Sequence, residues 1–405
     1  MEILFIGGNF FKSMENEIIK NSKSVIQYAA NKFEWNLIEG LSLHQKINLK
    51  ILSAILIGSY PRDYKKLLIK NRDYKYKNLI KCKYVKFCNA WGYKNISRAN
   101  SLKKEIKNNL DNTKENKVVI VYSSHTPFLQ AAVYAKKINP SIKICLIVPD
   151  LPQYINLRER QSLVYKILKK IDIRIFNKNL KYVDSFVLLT KEMKDILNVG
   201  KRDYVIVEGL VNKRDVEEIK ILENKSNVRK IVYTGNINRR FGIDKLVQAF
   251  LRLKERDLEL VICGKGDYER NIKNYALKDK RIKYLGQIKN TEAVRLQQNA
   301  TILVNPRQGE EEFTKYSFPS KNMEYLLAGR PVIAYKLQGI PDEYDDYIFY
   351  VEDNSVESLK NKIQEVLNLS TIRRNEFGNR ARKFVLENKN NEVVAGKILE
   401  MLKSV

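Results

Sequence analysis

The sequence predicts an α/β protein of two doubly wound domains, each a parallel sheet with helices on both faces. Three observations carry this. Strand-length apolar runs alternate with helical patterns along most of the chain, the rhythm restarts midway after a polar, charge-rich stretch, and the runs end in Gly, Ser, Thr or charged residues. A chain of 405 residues also exceeds one small core.

In the first half, Glu2–Ile6 reads as a strand ending at Gly7-Gly8, followed by a helix from about Asn16 to Phe33 with Ile18, Val25, Ile26, Ala29 and Phe33 at helical spacing. Ser53–Ile57, Lys117–Tyr122, Ile142–Val148 and Ser185–Leu189 are further strand candidates. The second half supplies Lys230–Thr234, Glu259–Cys263, Arg281–Leu285, Thr301–Asn305 and Pro331–Tyr335. The boundary falls near Tyr204–Val211, giving domains 1–205 and 206–385, and a closing helix at about 386–405 is expected to pack back on the first domain.

Tyr316–Arg330 (YSFPSKNMEYLLAGR) is the stretch richest in chemistry. Pro319 biases Phe318 away from helix, Ser320 reads as the N-cap, Gly329 stops the helix, and Met323, Leu326 and Leu327 form its apolar face. Uncapped amides and the helix dipole favour a phosphate, Lys321 adds a full charge, and Glu324 can accept hydrogen bonds from ribose-like hydroxyls. Ligands of open parallel sheets gather outside the carboxyl ends of the strands. Here those ends are Gly7-Gly8, Ser123–His125, Pro149-Asp150, Thr190, Gly235, Gly264–Gly266, Gly286-Gln287, Pro306-Arg307 and Gly339.

Composition narrows the options. No run reaches the 18 to 20 or so apolar residues of a membrane span, and Met1–Ile6 reads as a first strand rather than a signal peptide. Four cysteines without a CxxC pair suit a reduced, cytoplasmic protein, and two histidines make a histidine-built zinc site improbable. The net charge of +28 points to an anionic partner.

These residues resemble the retaining GT-B glycosyltransferases of the family 4, or group 1, type, which build bacterial capsule, exopolysaccharide and lipopolysaccharide. The resemblance is carried by VYTGNINRRFGID (Val232–Asp244), VICGKGD (Val261–Asp267), YLGQ (Tyr284–Gln287), LVNPR (Leu303–Arg307), SFPSKNMEY and GRPVIAY. It is strongest over Arg229–Asp353. IGGNFF, VYSSHTPF, ICLIVPDLP and SFVLLTKEM look like the acceptor-side domain. One departure is plain: the family's Glu-x7-Glu motif would put its first glutamate at Tyr316, so only Glu324 survives.

The resemblance implies two Rossmann-like domains facing each other across a cleft that closes on the donor. It also implies transfer of a sugar, with retention, from a nucleotide diphosphate, UDP- or GDP-linked, to a hydroxyl of a lipid-linked saccharide acceptor. Charge then builds on the departing diphosphate, so cations at the leaving group suffice without a metal, and no cofactor beyond the nucleotide-sugar co-substrate is expected. Lys321 and Arg307 are the first candidates, with Arg239, Arg240, the Gly235 backbone and Gly264 in support. Glu324 is placed on the ribose, Gln287 and Ile288 at the base, Tyr316, Ser317 and Phe318 at the sugar or diphosphate, and Ser320 at the same helix start. On the acceptor side His125 is placed in the cleft as a neutral group beside the donor sugar, with Gly7, Gly8 and Asp150 nearby.

Basic residues interleaved with aromatic ones at 61–86, and an apolar stripe beneath a basic face at 158–181, suit an anionic membrane surface. They place the protein in the cytoplasm, peripheral at the inner face of the cell membrane. Two rivals remain: a nucleotide-sugar 2-epimerase on the same fold, which the scarcity of histidine disfavours, and a non-enzymatic nucleic-acid binder, disfavoured because no nucleic-acid module is present.

Overall fold

The structure, a computed structural model, describes residues 1–24, 26–77, 80–109, 117–154, 162–214 and 228–404. It divides into two compact units, Met1–Val207 with Asn391–Val405, and Glu208–Asn390.

The first unit runs β1 (Glu2–Gly7), α1 (Lys12–Asn21), α2 (Tyr28–Ser42), β2 (Asn48–Ser53), β3 (Leu68–Ile69), β4 (Arg72–Tyr76), β5 (Ile80–Tyr84), β6 (Phe87–Cys88), α3 (Lys94–Asn109) and β7 (Lys117–Tyr122). It continues through α4 (Thr126–Ile138), β8 (Lys143–Val148), α5 (Leu163–Leu180), β9 (Ser185–Leu188), α6 (Met193–Ile196) and β10 (Asp203–Ile206). The main sheet has the order β10-β9-β8-β7-β1-β2-β5-β4 and is parallel except for β4 on β5. Every residue of β7 is buried, as expected of a central strand covered on both faces. The strand order reverses between β1 and β7, which puts Gly7-Gly8 and Ser123–His125 at the topological switch point.

Three expectations need correction here. The single helix over Asn16–Phe33 is two helices, because Ser22 turns extended and bridges to Tyr64 while the Lys23 N–H donates to the Asp63 carbonyl at 2.9 Å; Val25 lies outside the described residues. The strand placed at Ser53–Ile57 ends at Ser53: the apolar run outlasts the ladder, and Ala54 and Leu56 instead donate to the Gly7 and Gly8 carbonyls across the sheet's carboxyl edge. The rings of the basic-aromatic stretch 61–86, expected at a surface, pack largely against their own unit. Its described part folds into β3, β4 and β5; Tyr64 and Tyr84 are buried, and Tyr74, Tyr76 and Tyr84 pack with Phe11, itself on Trp35.

The second unit holds β11 (Arg229–Thr234), α7 (Ile243–Leu251), β12 (Leu258–Cys263), α8 (Glu269–Lys278), β13 (Ile282–Tyr284), α9 (Asn290–Gln298), β14 (Ile302–Asn305), α10 (Ser320–Leu327), β15 (Val332–Tyr335), β16 (Phe349–Val351), α11 (Val356–Asn368) and α12 (Thr371–Asn388). Its sheet, β13-β12-β11-β14-β15-β16, is wholly parallel, and its order reverses between β11 and β14. The closing helix α13 (Asn391–Ser404) belongs to the first unit, where it packs on α2.

Candidate active site

In the second unit the switch point is framed by the loops after β11, β12, β13 and β14, and by α10. The Gly235 N–H donates to the Cys263 carbonyl at 2.9 Å, and the Gly264 N–H to the Gly286 carbonyl at 2.8 Å. Gly264 has φ +139°, and a Cβ there would sit 1.7 Å from the Gly235 oxygen, so only glycine lets these two loops close on each other. The result is a rigid edge of backbone beside the start of α10.

Buried hydrogen bonds fix α10 against that edge. Tyr325 Oη accepts from the Thr234 N–H at 2.8 Å and donates to the Thr234 carbonyl at 3.2 Å, while Gln297 donates to Thr234 Oγ1 at 2.7 Å. One turn away Asn305 Nδ2 donates to Asn322 Oδ1 at 2.7 Å. The buried face of α10 is therefore Asn322, Met323, Tyr325 and Leu326, and Leu327, expected inside, is only half-buried. The 3.6-residue period fits both assignments; the polar anchors decide.

With that face inward, Lys321 and Glu324 lie outward as a pair, Nζ donating to Oε2 at 2.7 Å, with side chains 34% and 44% exposed. Arg307, at the end of β14, donates to Ser317 Oγ at 2.7 Å and lies over the rings of Phe241 and Phe313. The same loop therefore holds Ser317 and Arg307 together. Arg239 and Arg240 are already engaged by acids: Arg239 Nε donates to Asp244 at 3.1 Å, and Arg240 pairs with Glu311. Tyr316 ends a short 3-10 turn, half-buried; Gln287 is exposed and Ile288 half-buried after β13.

Two expectations fail. Phe318 does not line an open site: it is buried and packs on Tyr344 with ring centroids 5.2 Å apart, leaving its backbone alone to the loop. Ser320 is not the N-cap. Pro319 takes that position in extended geometry, and Ser320 is the first helical residue, its side chain exposed.

In the first unit the β1 loop closes on a buried carboxylate. Glu34 accepts from the Gly8 N–H at 3.0 Å, the Asn9 N–H at 3.1 Å and Asn9 Nδ2 at 3.0 Å. A Cβ on Gly7 would lie 2.2 Å from Glu34 Oε2, so Gly7 and Gly8 serve this closure. Burial pushes the Glu34 carboxyl up to about 8 against the pull of those donors. His125 is the residue before α4, half-buried, with Pro127 in the first turn. Arg98 Nη1 lies 3.3 Å from His125 Nε2. A guanidinium only donates, so Nε2 accepts and the ring proton resides on Nδ1. Burial first, then the charges of Arg98 and Lys94, hold His125 well below the usual imidazole value, which leaves it neutral. Asp150 is exposed after β8, and its carbonyl accepts from Ser124 Oγ at 2.8 Å.

Sequence reasoning overlooked Glu34, Arg98 and the Thr234–Tyr325–Gln297 anchor. Only Arg98 left a trace, one turn after Lys94 at the start of a helical pattern. Among the described residues no three His, Cys, Asp or Glu side chains gather as a metal would need.

Residues 215–384 match the family of glycosyl transferases group 1. The chain is a glycosyltransferase. Its fold is GT-B. The transferase is similar to an uncharacterized glycosyltransferase of Methanocaldococcus jannaschii, 26% identical over 272 residues that make up 64% of this chain and 69% of the relative. Among solved structures it is similar to Anabaena HepE in complex with UDP, at 12% identity and TM-score 0.63, covering 100% of both chains. It is also similar to the lipopolysaccharide outer core galactosyltransferase WaaB in its apo form, at 15% identity and TM-score 0.62, covering 100% of this chain and 99% of that one. No described helix of the transferase is long and apolar enough to cross a membrane.

Proposed function

We propose that this transferase moves a sugar from a UDP- or GDP-linked donor to a hydroxyl of a lipid-linked saccharide, with retention at the anomeric carbon, in cell-surface polysaccharide synthesis at the cytoplasmic face of the membrane. The observation that carries the donor reading is the outward Lys321–Glu324 pair on a helix anchored at the switch point of the second unit, inside the matched family region.

In this reading Lys321 and Arg307 meet the diphosphate, where leaving-group charge develops, and Glu324 takes the ribose hydroxyls. Separating the Lys321–Glu324 pair on binding costs little because both side chains are partly solvated. Arg239 and Arg240 shape the loop through Asp244 and Glu311 and contribute less charge than a free arginine would. Within the first unit His125 is a neutral group whose ring proton is on Nδ1. The UDP bound to HepE and the lipopolysaccharide role named for WaaB support the donor and pathway. The protein's own cations make a metal unnecessary.

The membrane part rests on α5. Leu163, Val164, Ile167, Leu168, Ile171 and Ile175 are all exposed on it, interspersed with Lys166, Lys169, Lys170, Arg174 and Lys178. An apolar stripe edged by cations fits an anionic bilayer better than water; residues 158–161 of the expected segment lie outside those described. Incubating the protein with UDP- and GDP-sugars and a lipid extract, with mass spectrometry and NMR of the product, tests the proposal. A glycosylated lipid with the donor's anomeric configuration is expected; hydrolysis alone, an epimerised nucleotide sugar or an inverted linkage contradicts it.

A further inference from the structure

The start of α3 carries more positive charge than its surroundings balance. Lys94 is its first residue and Arg98 follows one turn later, so the two side chains share a face. Arg98 is 1% exposed. Its Nη2 donates to the Ile55 carbonyl, Nη1 meets His125, one face lies 4.6 Å from the Phe87 ring centroid, and Nε has no hydrogen-bond partner. Lys94 Nζ donates to the Ile57 carbonyl at 3.1 Å. Neither cation forms an ion pair with a carboxylate among the described residues. Arg62 adds a third cation close enough to act on Lys94, and the neighbouring carboxylate, Asp63, is held by Arg62 at 2.8 Å.

Carbonyl oxygens satisfy donors but do not neutralise charge, and a buried, uncompensated cation costs several kcal/mol. Burial lowers Arg98 to about 9, and burial together with Arg98 lowers Lys94 to about 7. A fold that only needed to tie the β2 loop to His125 could do so with a neutral donor. Two cations without a carboxylate partner suit an incoming dianion, with Arg62, already paired to Asp63, beside them, and His125 and Ile55 take only two of the guanidinium's N–H donors.

We propose that Lys94, Arg98 and Arg62 form a phosphate-binding site in the first unit and that, given the transfer proposed above, its ligand is the phosphate of the lipid-linked acceptor. Half-buried Lys94 makes the direct contact, and the Arg98 guanidinium beneath it supplies charge. The shared chemistry leaves the donor's diphosphate as the other source, and the experiment separates the two.

Inorganic pyrophosphate is titrated calorimetrically into the full chain with UDP saturating, and UDP is titrated separately. Wild-type protein is expected to bind pyrophosphate beside UDP. Lys94→Met should weaken pyrophosphate at least tenfold, Lys94→Arg should restore most of it, and UDP affinity should stay within twofold in both. Arg98→Met, checked for folding by circular dichroism, should behave as Lys94→Met does. Failure of folded wild-type protein to bind pyrophosphate, or binding indifferent to Lys94→Met, overturns the site. Equal loss of UDP and pyrophosphate in Lys94→Met assigns the phosphate to the donor and overturns the acceptor assignment. If UDP does not bind at all, the donor reading fails by itself, and the pyrophosphate titration without UDP still decides this one.

Discussion

Lys321→Met should separate stability from binding. The Lys321–Glu324 pair is short, 2.7 Å, but its side chains are 34% and 44% exposed and three residues apart on one helix. Such a pair contributes about 0.2–0.5 kcal/mol, so the melting temperature should fall by less than about 2 °C. A charge-assisted hydrogen bond to a diphosphate contributes about 1.5–3 kcal/mol, so the Kd for UDP or GDP should rise roughly 10- to 100-fold. Glu324→Gln should weaken binding less, by roughly threefold to tenfold, because the amide keeps one ribose acceptor and loses the charge and the second, while releasing Lys321 from its charged partner. The two effects should therefore not add in the double variant. Calorimetric titration with each nucleotide, alongside thermal melting, reads both quantities. A Lys321→Met protein that melts about 5 °C lower yet binds nucleotide within twofold of wild type would show that the lysine serves the helix and not a ligand.

Three further outcomes follow from the same geometry. Tyr325→Phe removes the acceptor of the buried Thr234 N–H and should cost about 1–3 kcal/mol, read as a lower urea midpoint; an unchanged midpoint would mean that other contacts hold α10 in place. Glu34 has a folded-state value near 8, raised from 4.5. Its contribution is therefore fully present below pH 4.5 and is lost as pH rises towards 8, by at most about 1.4 kcal/mol per pH unit. Glu34→Gln cannot ionise, so wild type should lose stability relative to it between about pH 5 and about pH 8 in urea titrations, and parallel curves would contradict the assignment. Ile167→Asp, at a position 58% exposed on α5, should leave the fold intact and reduce co-sedimentation with anionic vesicles severalfold; equal sedimentation would remove α5 as the contact.

The parallel strands were legible because both-face burial writes continuous apolar runs such as VVIV in β7, bounded by polar turns. The boundaries failed where apolar residues continue past the ladder, as in Ala54–Ile57, since a buried loop and a buried strand have the same composition. Strand β16, three residues long, was too short to register. At the site, Lys321 and Glu324 could be placed from helix spacing, and Gly264 from its strand end. Phe318 could not, because nothing local says that its ring turns to Tyr344. Arg98 and Glu34 were missed for a related reason. A charged residue in sequence reads as surface, and only the fold shows that both are buried and what meets them.

Hydrogen–deuterium exchange on the full chain with saturating UDP, and separately with GDP, tests the donor-site claim most directly. Protection with at least one nucleotide is expected over Gly235–Asp244 and over Ser317–Leu327, with the amides at the start of α10 slowed most. Protection confined to other peptides, or none with either nucleotide on folded protein, would contradict it.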